Sequence, residues 1–161
     1  MNEAFLARAM DRYGDAVYRV ALCRLQNTAD AEDIYQDTFL ALFQQSGAER
    51  WEEERLKAWL LRVAVNACTD LGRRRRRTAC VDIDELGSLA GEDSYGCIEL
   101  WDAVNRLPEK YRVVFHLFYG ESCKTEEIGR ILNIPASTVR VRLNRARNTL
   151  RKELTAYERI S

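Results

Sequence analysis

The sequence predicts an all-α protein with two small helical domains joined by a flexible acidic linker and a helix-turn-helix in the second domain. Apolar residues recur at helical rather than alternating spacing almost everywhere. Glycine and proline are scarce, at 8 and 2 of 161 residues. The exception is residues 78–98, TACVDIDELGSLAGEDSYGCI, where acids, glycines and small polar residues occur without any Lys or Arg. Such a composition is typical of a linker, so we expect domains at 1–77 and 99–161.

Composition limits the class of protein. With 47% hydrophobic and 31% charged residues the chain can bury a core. No stretch approaches the ~20 apolar residues of a membrane span, and the amphipathic start MNEAFLARAMDRYGDAVYR does not resemble a secretory signal. We therefore expect a cytoplasmic protein without membrane insertion. The 25 basic and 25 acidic residues give a formal net charge of zero. The charged residues of the linker are all acidic, so the cations lie in the two flanking blocks.

The five cysteines and the single His116 indicate neither a disulfide framework nor a metal site. Their number is odd, there is no CxxC pair, and the thiols are widely scattered. We expect reduced, partly buried thiols and a packed His116 within the apolar run VVFHLFY. No metal and no cofactor is predicted.

The stretch DAEDIYQDTFLALF (30–43) predicts a helix with two unlike faces. One face is a plausible core face, and it consists of Ala31, Ile34, Tyr35, Thr38, Phe39 and Leu42. The opposite face groups Asp33, Gln36, Asp37 and Leu40. An apolar residue ringed by acids suits docking on a basic protein surface. The alternative is an isolated exposed leucine, which is common.

A second helix, from about Leu56 to Arg73, is apolar around most of its circumference. Its polar strip consists of Arg62, Asn66, Thr69 and Arg73, with Trp59 alongside. Cations that hold phosphate, an amide that reads a base edge and an aromatic face for stacking favour nucleic acid.

Two neighbouring segments extend this strip. In the run GRRRRR (72–77), Arg73 and one or two further arginines are expected to meet phosphate, while the rest stay in solvent. The second segment is the loop QQSGAERWEEER (44–55) between the two helices. Gly47 is expected to break the preceding helix, and Trp51 is predicted to be exposed. This loop is either an inert connection or a pocket for an unstacked base.

The C-terminal block predicts a helix-turn-helix. Pro108 can open a helix at its first turn, and that helix runs to about Gly120. Thr125 is a plausible N-cap for EEIGRILNI, and a short break at 133–135 precedes a long last helix that begins at Ala136 or Ser137. A short helix, a tight turn and a second helix with a basic face form the DNA-binding pattern.

The last helix also has two faces. At 100° per residue, an apolar stripe falls within about 80°, and it consists of Val139, Leu143, Ala146, Leu150 and Leu154. The opposite side carries Ser137, Val141, Asn144, Arg145 and Asn148, and the boundary is flanked by Arg140, Arg142 and Arg147. Short polar side chains reach base edges while arginines meet guanine or phosphate. The alternative is an ordinary amphipathic helix with a solvated cationic face.

Three segments together resemble a known family, over about residues 5–154. DAEDIYQDTFLALF, WLLRVAVNACTDLGRRRR and LPEKYRVVFHLFYGESCKTEEIGRILNIPASTVRVRLNRARNTLR are similar, in this order, to motifs of the extracytoplasmic-function (ECF) branch of bacterial sigma factors. These proteins are the promoter-recognition subunits of RNA polymerase. The chain departs from the family at Val141, where a small serine is frequent, and at Ala136 or Ser137, where a glycine is frequent. The exact −35 sequence therefore stays open.

The resemblance implies partners and roles. The partners are core RNA polymerase, through its β′ clamp helices and β flap, promoter DNA, and an anti-sigma factor. Docking on the β′ clamp helices falls to Asp33, Gln36, Asp37 and Leu40. Recognition of the −10 element and of its melted strand falls to the loop 45–54 and to Trp59, Arg62, Asn66, Thr69 and Arg73. Recognition of the −35 element falls to Ser137, Arg140, Val141, Asn144, Arg145 and Arg147. No enzymatic chemistry is implied.

Three other functions fit the sequence less well. A dimeric helix-turn-helix regulator would bind duplex DNA without polymerase, but it leaves the Arg62–Asn66–Thr69 strip unexplained. A small nuclease or phosphodiesterase needs a convergent carboxylate or histidine cluster, which one packed histidine and dispersed acids do not provide. A pure interaction protein has no use for a basic recognition helix.

Overall fold

A computed structural model describes the backbone of residues 2–78 and 98–160 and the side chains of residues 2–76 and 100–155. The chain divides into two compact units, Met1–Leu89 and Ala90–Ser161. Every regular element in the described part of the chain is helical, as predicted. The predicted linker lies outside the described residues, except for its first and last residues, which belong to helices. Cys80 and Cys97 also lie outside them, and the exact domain limits stay a prediction.

Within its described residues, 2–78, the first unit is a bundle of three helices in which each helix packs against the other two. They are α1 (Glu3–Leu25), α2 (Thr28–Gln44) and α3 (Glu53–Thr78), with a 3₁₀ turn at Ala48–Arg50 between α2 and α3. Small and branched apolar side chains fill the space between them, and the most buried include Val17, Ala21, Ala31, Ile34, Leu42, Leu60 and Ala64. Gly14 lets α1 approach α2 closely, since a Cβ there would lie 3.1 Å from the hydroxyl of Tyr35.

Asparagine caps set where the first two helices begin. The side chain of Asn2 accepts a hydrogen bond from the N–H of Ala4, and that of Asn27 accepts one from the N–H of Asp30. Each bond satisfies a backbone donor that the first helical turn leaves unpaired. Gln26 ends α1 in the left-handed conformation, with φ 54°. Two residues therefore suffice to reverse the chain between α1 and α2.

The helix α3 is longer than the sequence predicted at both ends. We expected it from about Leu56 to Arg73, whereas it begins at Glu53 and continues through the arginine run to Thr78. Arg75 forms a bidentate ion pair with Asp30 at the start of α2, with N–O distances of 2.6 and 2.7 Å. The sequence did not suggest this partner, although the Arg75 side chain also stays half exposed, as expected for part of the run. The pair ties the end of α3 to the start of α2.

The described residues of the second unit form four helices, and the first three of them pack against the last. They are α4 (Ile98–Arg106), α5 (Glu109–Phe115), α6 (Thr125–Leu132) and α7 (Ala136–Ile160), and α5 continues as a π turn over His116–Gly120. The apolar stripe predicted on α7 is confirmed for Val139, Leu143, Ala146 and Leu150, which are buried, whereas Leu154 is only partly buried. Ala146 and Leu150 share one cluster with Val104, Leu107 and Phe115, and α6, whose Ile128 and Ile131 are buried, also contacts α7.

The turn between α6 and α7 is tightly closed. Asn133 takes the left-handed conformation (φ 57°), and the N–H of Ile134 donates to the carbonyl of Gly129 over 2.9 Å. A Cβ at Gly129 would lie 2.7 Å from the carbonyl oxygen of Ile134, so only glycine permits this approach. The predicted helix-turn-helix is confirmed. Two predicted starts are wrong by one residue, since Lys124 rather than Thr125 is the N-cap of α6 and Pro108 precedes the first turn of α5.

The other sequence predictions about single side chains largely hold. His116 is buried, as expected, and its Nε2 lies 3.1 Å from a carboxylate oxygen of the buried Glu121, a partner that the sequence did not suggest. Cys68 and Cys123 are buried, Cys23 is partly buried, and none of the three forms a disulfide.

No helix in the described part of the chain is long and apolar enough to cross a membrane.

The Arg75–Asp30 pair makes the C-terminal turns of α3 testable. Arg75→Ala leaves the nearly buried Asp30 carboxylate without this partner, and we expect the opening free energy of these turns to fall by about 1–2 kcal/mol. Hydrogen exchange at the amides of α3 in the full chain measures that free energy. The matched control is Arg76→Ala, whose side chain is exposed, and its effect should stay within about 0.5 kcal/mol. Equal effects of the two substitutions would contradict a specific role of the pair.

Candidate nucleic-acid interfaces

The helix α2 presents the acidic and apolar patch that the sequence predicted. All four side chains, Asp33, Gln36, Asp37 and Leu40, are exposed, and Leu40 keeps 55% of its surface in contact with solvent. Phe43, one turn further along, is 47% exposed and extends the apolar part of the patch. Phe43 was not among the predicted residues, although its i+3 spacing from Leu40 puts both residues on one face. The docking patch is hereafter these five residues.

The polar strip of α3 is exposed along most of its length. The side chains of Arg62, Asn66 and Arg73 face solvent, and Thr69 is partly buried. The Thr69 hydroxyl donates to the carbonyl of Val65 over 3.1 Å, so its proton is already used within the helix. Only its lone pairs remain to accept a bond from outside. The strip therefore offers donors mainly from its two arginines and its asparagine.

An aromatic pair connects the strip to the preceding loop. Trp51 and Trp59 meet edge to face, with ring centroids 5.6 Å apart, and both pack against the core of the first unit. The predicted exposure of Trp51 was therefore wrong, because the ring is partly buried. The guanidinium of Arg55 lies over the Trp51 ring at 4.5 Å from its centroid. The loop is thus packed onto α3 through aromatic contacts.

The recognition face of α7 is exposed as predicted. It consists of Ser137, Arg140, Val141, Asn144 and Arg145, all of which face solvent. Val141 is 47% exposed, which is high for a β-branched apolar residue and suits contact with another surface. Because the opposite side of α7 is buried in the core, this face is available for binding without any rearrangement of the helix.

The arginines of this face contact different residues of the second unit. Arg140 lies 4.0 Å from the carboxylate of Glu126 on α6, a loose and exposed ion pair. The backbone N–H of Glu126 itself, the Thr125 hydroxyl and the charge of Arg140 together hold the pKa of the Glu126 carboxyl below its ordinary value. Arg145 donates to the Tyr111 hydroxyl over a long 3.4 Å. Both arginines can leave these weak partners at little cost.

Arg147 is held far more firmly and is only partly exposed. Its Nε donates to the Tyr119 hydroxyl over 2.7 Å, and its Nη1 donates to the side-chain oxygen of Asn144 over 3.2 Å. The guanidinium also lies 5.5 Å from the ring centroids of Phe118 and Tyr119. The sequence grouped Arg147 with the DNA contacts, but its side chain is engaged with the protein itself.

The described residues contain little that suits a small-molecule or metal ligand. No group of three or more His, Cys, Asp or Glu side chains among them could hold a metal ion. An open groove of about 550 Å³ follows the turn between α6 and α7, between Glu126, Arg130 and Ala136. Its open form and its place beside the recognition face suit a macromolecule rather than an enclosed ligand.

Two family matches cover the two units. The sigma-70 region 2 family matches residues 9–78, and the sigma-70 region 4 family matches residues 97–150. The ECF RNA polymerase sigma factor SigW of Bacillus subtilis is 32% identical, over 95% of this chain and 90% of SigW. The RNA polymerase sigma factor CarQ of Myxococcus xanthus is also 32% identical, over 97% of each chain.

Solved structures show the same fold. CnrH, in complex with the cytosolic domain of CnrY, superposes with a TM-score of 0.68 at 26% identity, over 96% of this chain and 90% of CnrH. The sigma factor RpoE of Bartonella quintana, in complex with the anti-sigma factor NepR, gives a TM-score of 0.76 at 23% identity, over 92% of this chain and 96% of RpoE.

The chain is a sigma-70-type transcription initiation factor. Its first unit is helical and carries the exposed arginine-asparagine strip, and its second unit contains the helix-turn-helix. More narrowly, this chain belongs to the ECF family of RNA polymerase sigma factors. It is therefore an alternative sigma factor, which binds core RNA polymerase for promoter recognition. The family named in the sequence analysis is confirmed.

The contact between Arg145 and Tyr111 predicts a shifted tyrosine titration. The hydrogen bond from Arg145, together with the charge of Lys110, lowers the pKa of Tyr111 from its ordinary value of 10.0 by favouring the phenolate. The ionised Tyr111 therefore stabilises the folded protein. This stabilisation is fully present above the pKa of the tyrosine in the unfolded chain, and it is lost as the pH falls through the lower pKa of the folded protein. Arg145→Ala should raise the titration midpoint of Tyr111 towards 10.0.

Ultraviolet absorbance titration, with a Tyr111→Phe protein subtracted to isolate this residue, measures the midpoint. Arg140→Ala is the control, because that arginine pairs with Glu126 rather than with Tyr111. A midpoint unchanged by Arg145→Ala would show that the contact does not persist in solution.

Proposed function

We propose that this sigma factor docks on polymerase through α2, recognises and melts the −10 element with α3, and reads the −35 element with α7. The observation that carries the proposal is the exposure of Arg140, Val141, Asn144 and Arg145 together on the second helix of a helix-turn-helix. An arginine-rich face with short polar side chains at this position matches the way such helices enter a major groove.

The docking patch on α2 binds the clamp helices of the β′ subunit. Leu40 and Phe43 supply the apolar area, while Asp33 and Asp37 steer the approach towards a basic surface. Because Ile34, Phe39 and Leu42 are buried on the other side, this face can be covered by a partner without disturbing the core. The second unit binds the β flap.

The strip on α3 holds the −10 element. Arg62 and Arg73 bind phosphate, Asn66 reads a base edge, and the loop 45–54 with Trp59 receives an unstacked base. Melting follows because the open strand binds better than the duplex, which shifts the equilibrium between the two forms. This mechanism requires no covalent chemistry from the chain, so it is not an enzyme and uses no cofactor or metal.

The face of α7 reads the −35 element in the major groove. Arg140 and Arg145, whose internal contacts are weak, can bind guanine or phosphate, and Val141 offers an apolar contact such as that made with a thymine methyl group. Ser137 lies in the first turn and suits a phosphate contact. The balanced charge of 25 cations and 25 anions fits a protein that needs polymerase to bind DNA tightly, because nonspecific affinity follows cationic contacts.

Regulation by an anti-sigma factor is part of the proposal. RpoE was solved with the anti-sigma factor NepR, and CnrH with the cytosolic domain of CnrY. In the present chain, the exposed Leu40 and Phe43 offer an apolar surface that such a partner can cover in competition with polymerase. The site of action is the cytoplasm, where the polymerase acts.

Transcription by purified core polymerase on a promoter library, with and without this chain, tests the function. We expect new start sites that share two sequence elements at a constant separation. Absence of any stimulated start site would overturn the proposal. Sequence-specific binding of duplex DNA by the chain alone, as a dimer and without stimulated transcription, would instead favour a conventional helix-turn-helix regulator.

The docking patch gives a separate prediction. The double substitution Leu40→Ala with Asp37→Asn removes the apolar centre and an adjacent charge, and we expect affinity for core polymerase to fall about tenfold or more. Fluorescence anisotropy with labelled chain measures this affinity.

Asp11→Asn is a matched control, because it removes the charge of an exposed acid on α1, outside the patch. Circular dichroism should show the same helix content in both variants. Undiminished affinity of the double variant would remove the docking role of α2.

A further inference from the structure

Three side chains meet at one edge of the recognition face. Nη1 of Arg145, which belongs to that face, donates to the Tyr111 hydroxyl over 3.4 Å. The ammonium of Lys110 lies 5.1 Å from the centroid of the Tyr111 ring. Lys110 and Arg145 are exposed, and Tyr111 packs against the core of the second unit. The first turn of α5 thus places a cation and a phenol beside α7, and these three residues are hereafter the edge cluster.

The edge cluster has the chemistry of an anion site. An ammonium and a guanidinium have donors only, and the phenol keeps its own proton to donate while it accepts from Arg145. Among the described residues, the charges that act on the phenol are both positive, those of Lys110 and Arg145. The hydrogen bond from Arg145 and these two charges lower the pKa of the Tyr111 phenol. An anion beside the phenol can accept from all three groups and offset the repulsion between the two cations.

The place of the edge cluster determines which anion it meets. A helix of about 10–12 Å diameter fills a major groove about 12 Å wide. Groups that flank a recognition helix therefore face the walls of the groove, which are the two sugar–phosphate backbones. Lys110 and Tyr111 lie beside Arg145 on a neighbouring helix, so they flank α7 when its face enters the groove. The expected ligand is a DNA phosphate rather than a base.

The geometry points to the edge cluster as a phosphate site that holds the DNA backbone beside the −35 element, with Lys110 and Tyr111 as contacts outside the helix-turn-helix. This inference rests on the proposed function, because it requires the face of α7 to enter the major groove. It assigns α5 a role in placing α7 on the duplex, since phosphate contacts fix the register of a protein on DNA and carry no sequence information themselves.

The test uses holoenzyme reconstituted from core polymerase and the full chain, and it measures binding to promoter DNA over a range of salt concentrations. Lys110→Ala removes one cation from the phosphate contact. The slope of the logarithm of the binding constant against the logarithm of the salt concentration should become less negative by about 0.9. Affinity should fall by the same factor on every sequence variant of the −35 element. Lys110→Arg keeps the charge and should keep the slope.

The phenol is tested separately from the charge. Tyr111→Phe removes the hydroxyl and keeps the ring that packs on the core. Affinity should fall about twofold to tenfold, the range of one hydrogen bond, and the salt slope should stay unchanged because no charge is lost. An altered base preference at a −35 position would overturn the phosphate contact of Tyr111, since the tyrosine would then act by orienting Arg145 for base reading.

A scan with methylphosphonates locates the phosphate. Each phosphate that flanks the −35 element is replaced in turn by an uncharged methylphosphonate, and the loss of affinity is compared between the wild type and Lys110→Ala. At one phosphate the wild type should lose about threefold to tenfold, and Lys110→Ala should lose much less because its contact is already absent. Additive losses at every phosphate would overturn the inference.

The matched control is Arg106→Ala, which removes a cation of the same unit that lies 3.4 Å from the carboxylate of Glu153, outside the edge cluster. Its salt slope and its methylphosphonate profile should equal those of the wild type. Affinity for core polymerase without DNA should be the same for all variants. A loss of that affinity in Lys110→Ala, with unchanged DNA binding by the assembled holoenzyme, would assign the edge cluster to a polymerase contact and overturn the inference.

Failure of the inference and failure of the proposed function are distinguishable. An unchanged salt slope with intact −35 base preferences overturns the phosphate site and leaves the proposed function standing. The absence of any −35 base preference in the wild-type holoenzyme would overturn the proposed role of α7 as well.

Discussion

Burial of one face of each helix determines what the opposite face presents, and every binding surface of this chain depends on that constraint. In α7, burial of Val139, Leu143 and Ala146 fixes the rotation of the helix about its axis. A rotation by one residue, about 100°, would carry polar residues into the core and remove Val141 and Asn144 from the recognition face. The docking patch on α2 and the strip on α3 are fixed in the same way, since the three helices of the first unit share one core. The cores therefore decide which residues each surface presents.

The same constraint explains how much could be predicted from the sequence. The faces of α2, α3 and α7 follow from local periodicity, and the helix-turn-helix follows from local turn chemistry, so both were predictable. The Asp30–Arg75 pair joins residues 45 positions apart, and the partial burial of Trp51 depends on where Trp59 lies. Such pairings depend on how helices pack, which periodicity does not specify. For the same reason the sequence could not separate Arg147, engaged by Tyr119, from Arg140 and Arg145.

The arginines of α7 are a single residue type with different physical roles. A guanidinium with weak internal partners, such as that of Arg140, can adjust to phosphate or base, but it loses side-chain entropy when it binds. Arg147 has already lost that freedom in the folded unit, because two hydrogen bonds and two rings hold it. It would have to give up these contacts to reach another partner, whereas the only described contact of Arg140 is a loose ion pair. Counting cations on a helix face measures its attraction to a polyanion, but their internal contacts decide which of them can read sequence.

The arginine run at the end of α3 is subject to effects that oppose the helix and to others that favour it. Gly72 disfavours helix, and a Cβ there would meet nothing within 4 Å, so packing gives no reason for a glycine. Like charges at helical spacing also repel one another, while their place at the helix C-terminus is favourable because of the helix dipole. The bidentate contact from Arg75 to Asp30 adds a tertiary anchor at this point. Since Asp30 lies in the first turn of α2, the helix that carries the exposed Leu40 and Phe43 also secures the end of α3, the helix that carries the polar strip. The two surfaces of the first unit that are proposed to bind polymerase and DNA are thus joined through a specific contact as well as through their common core.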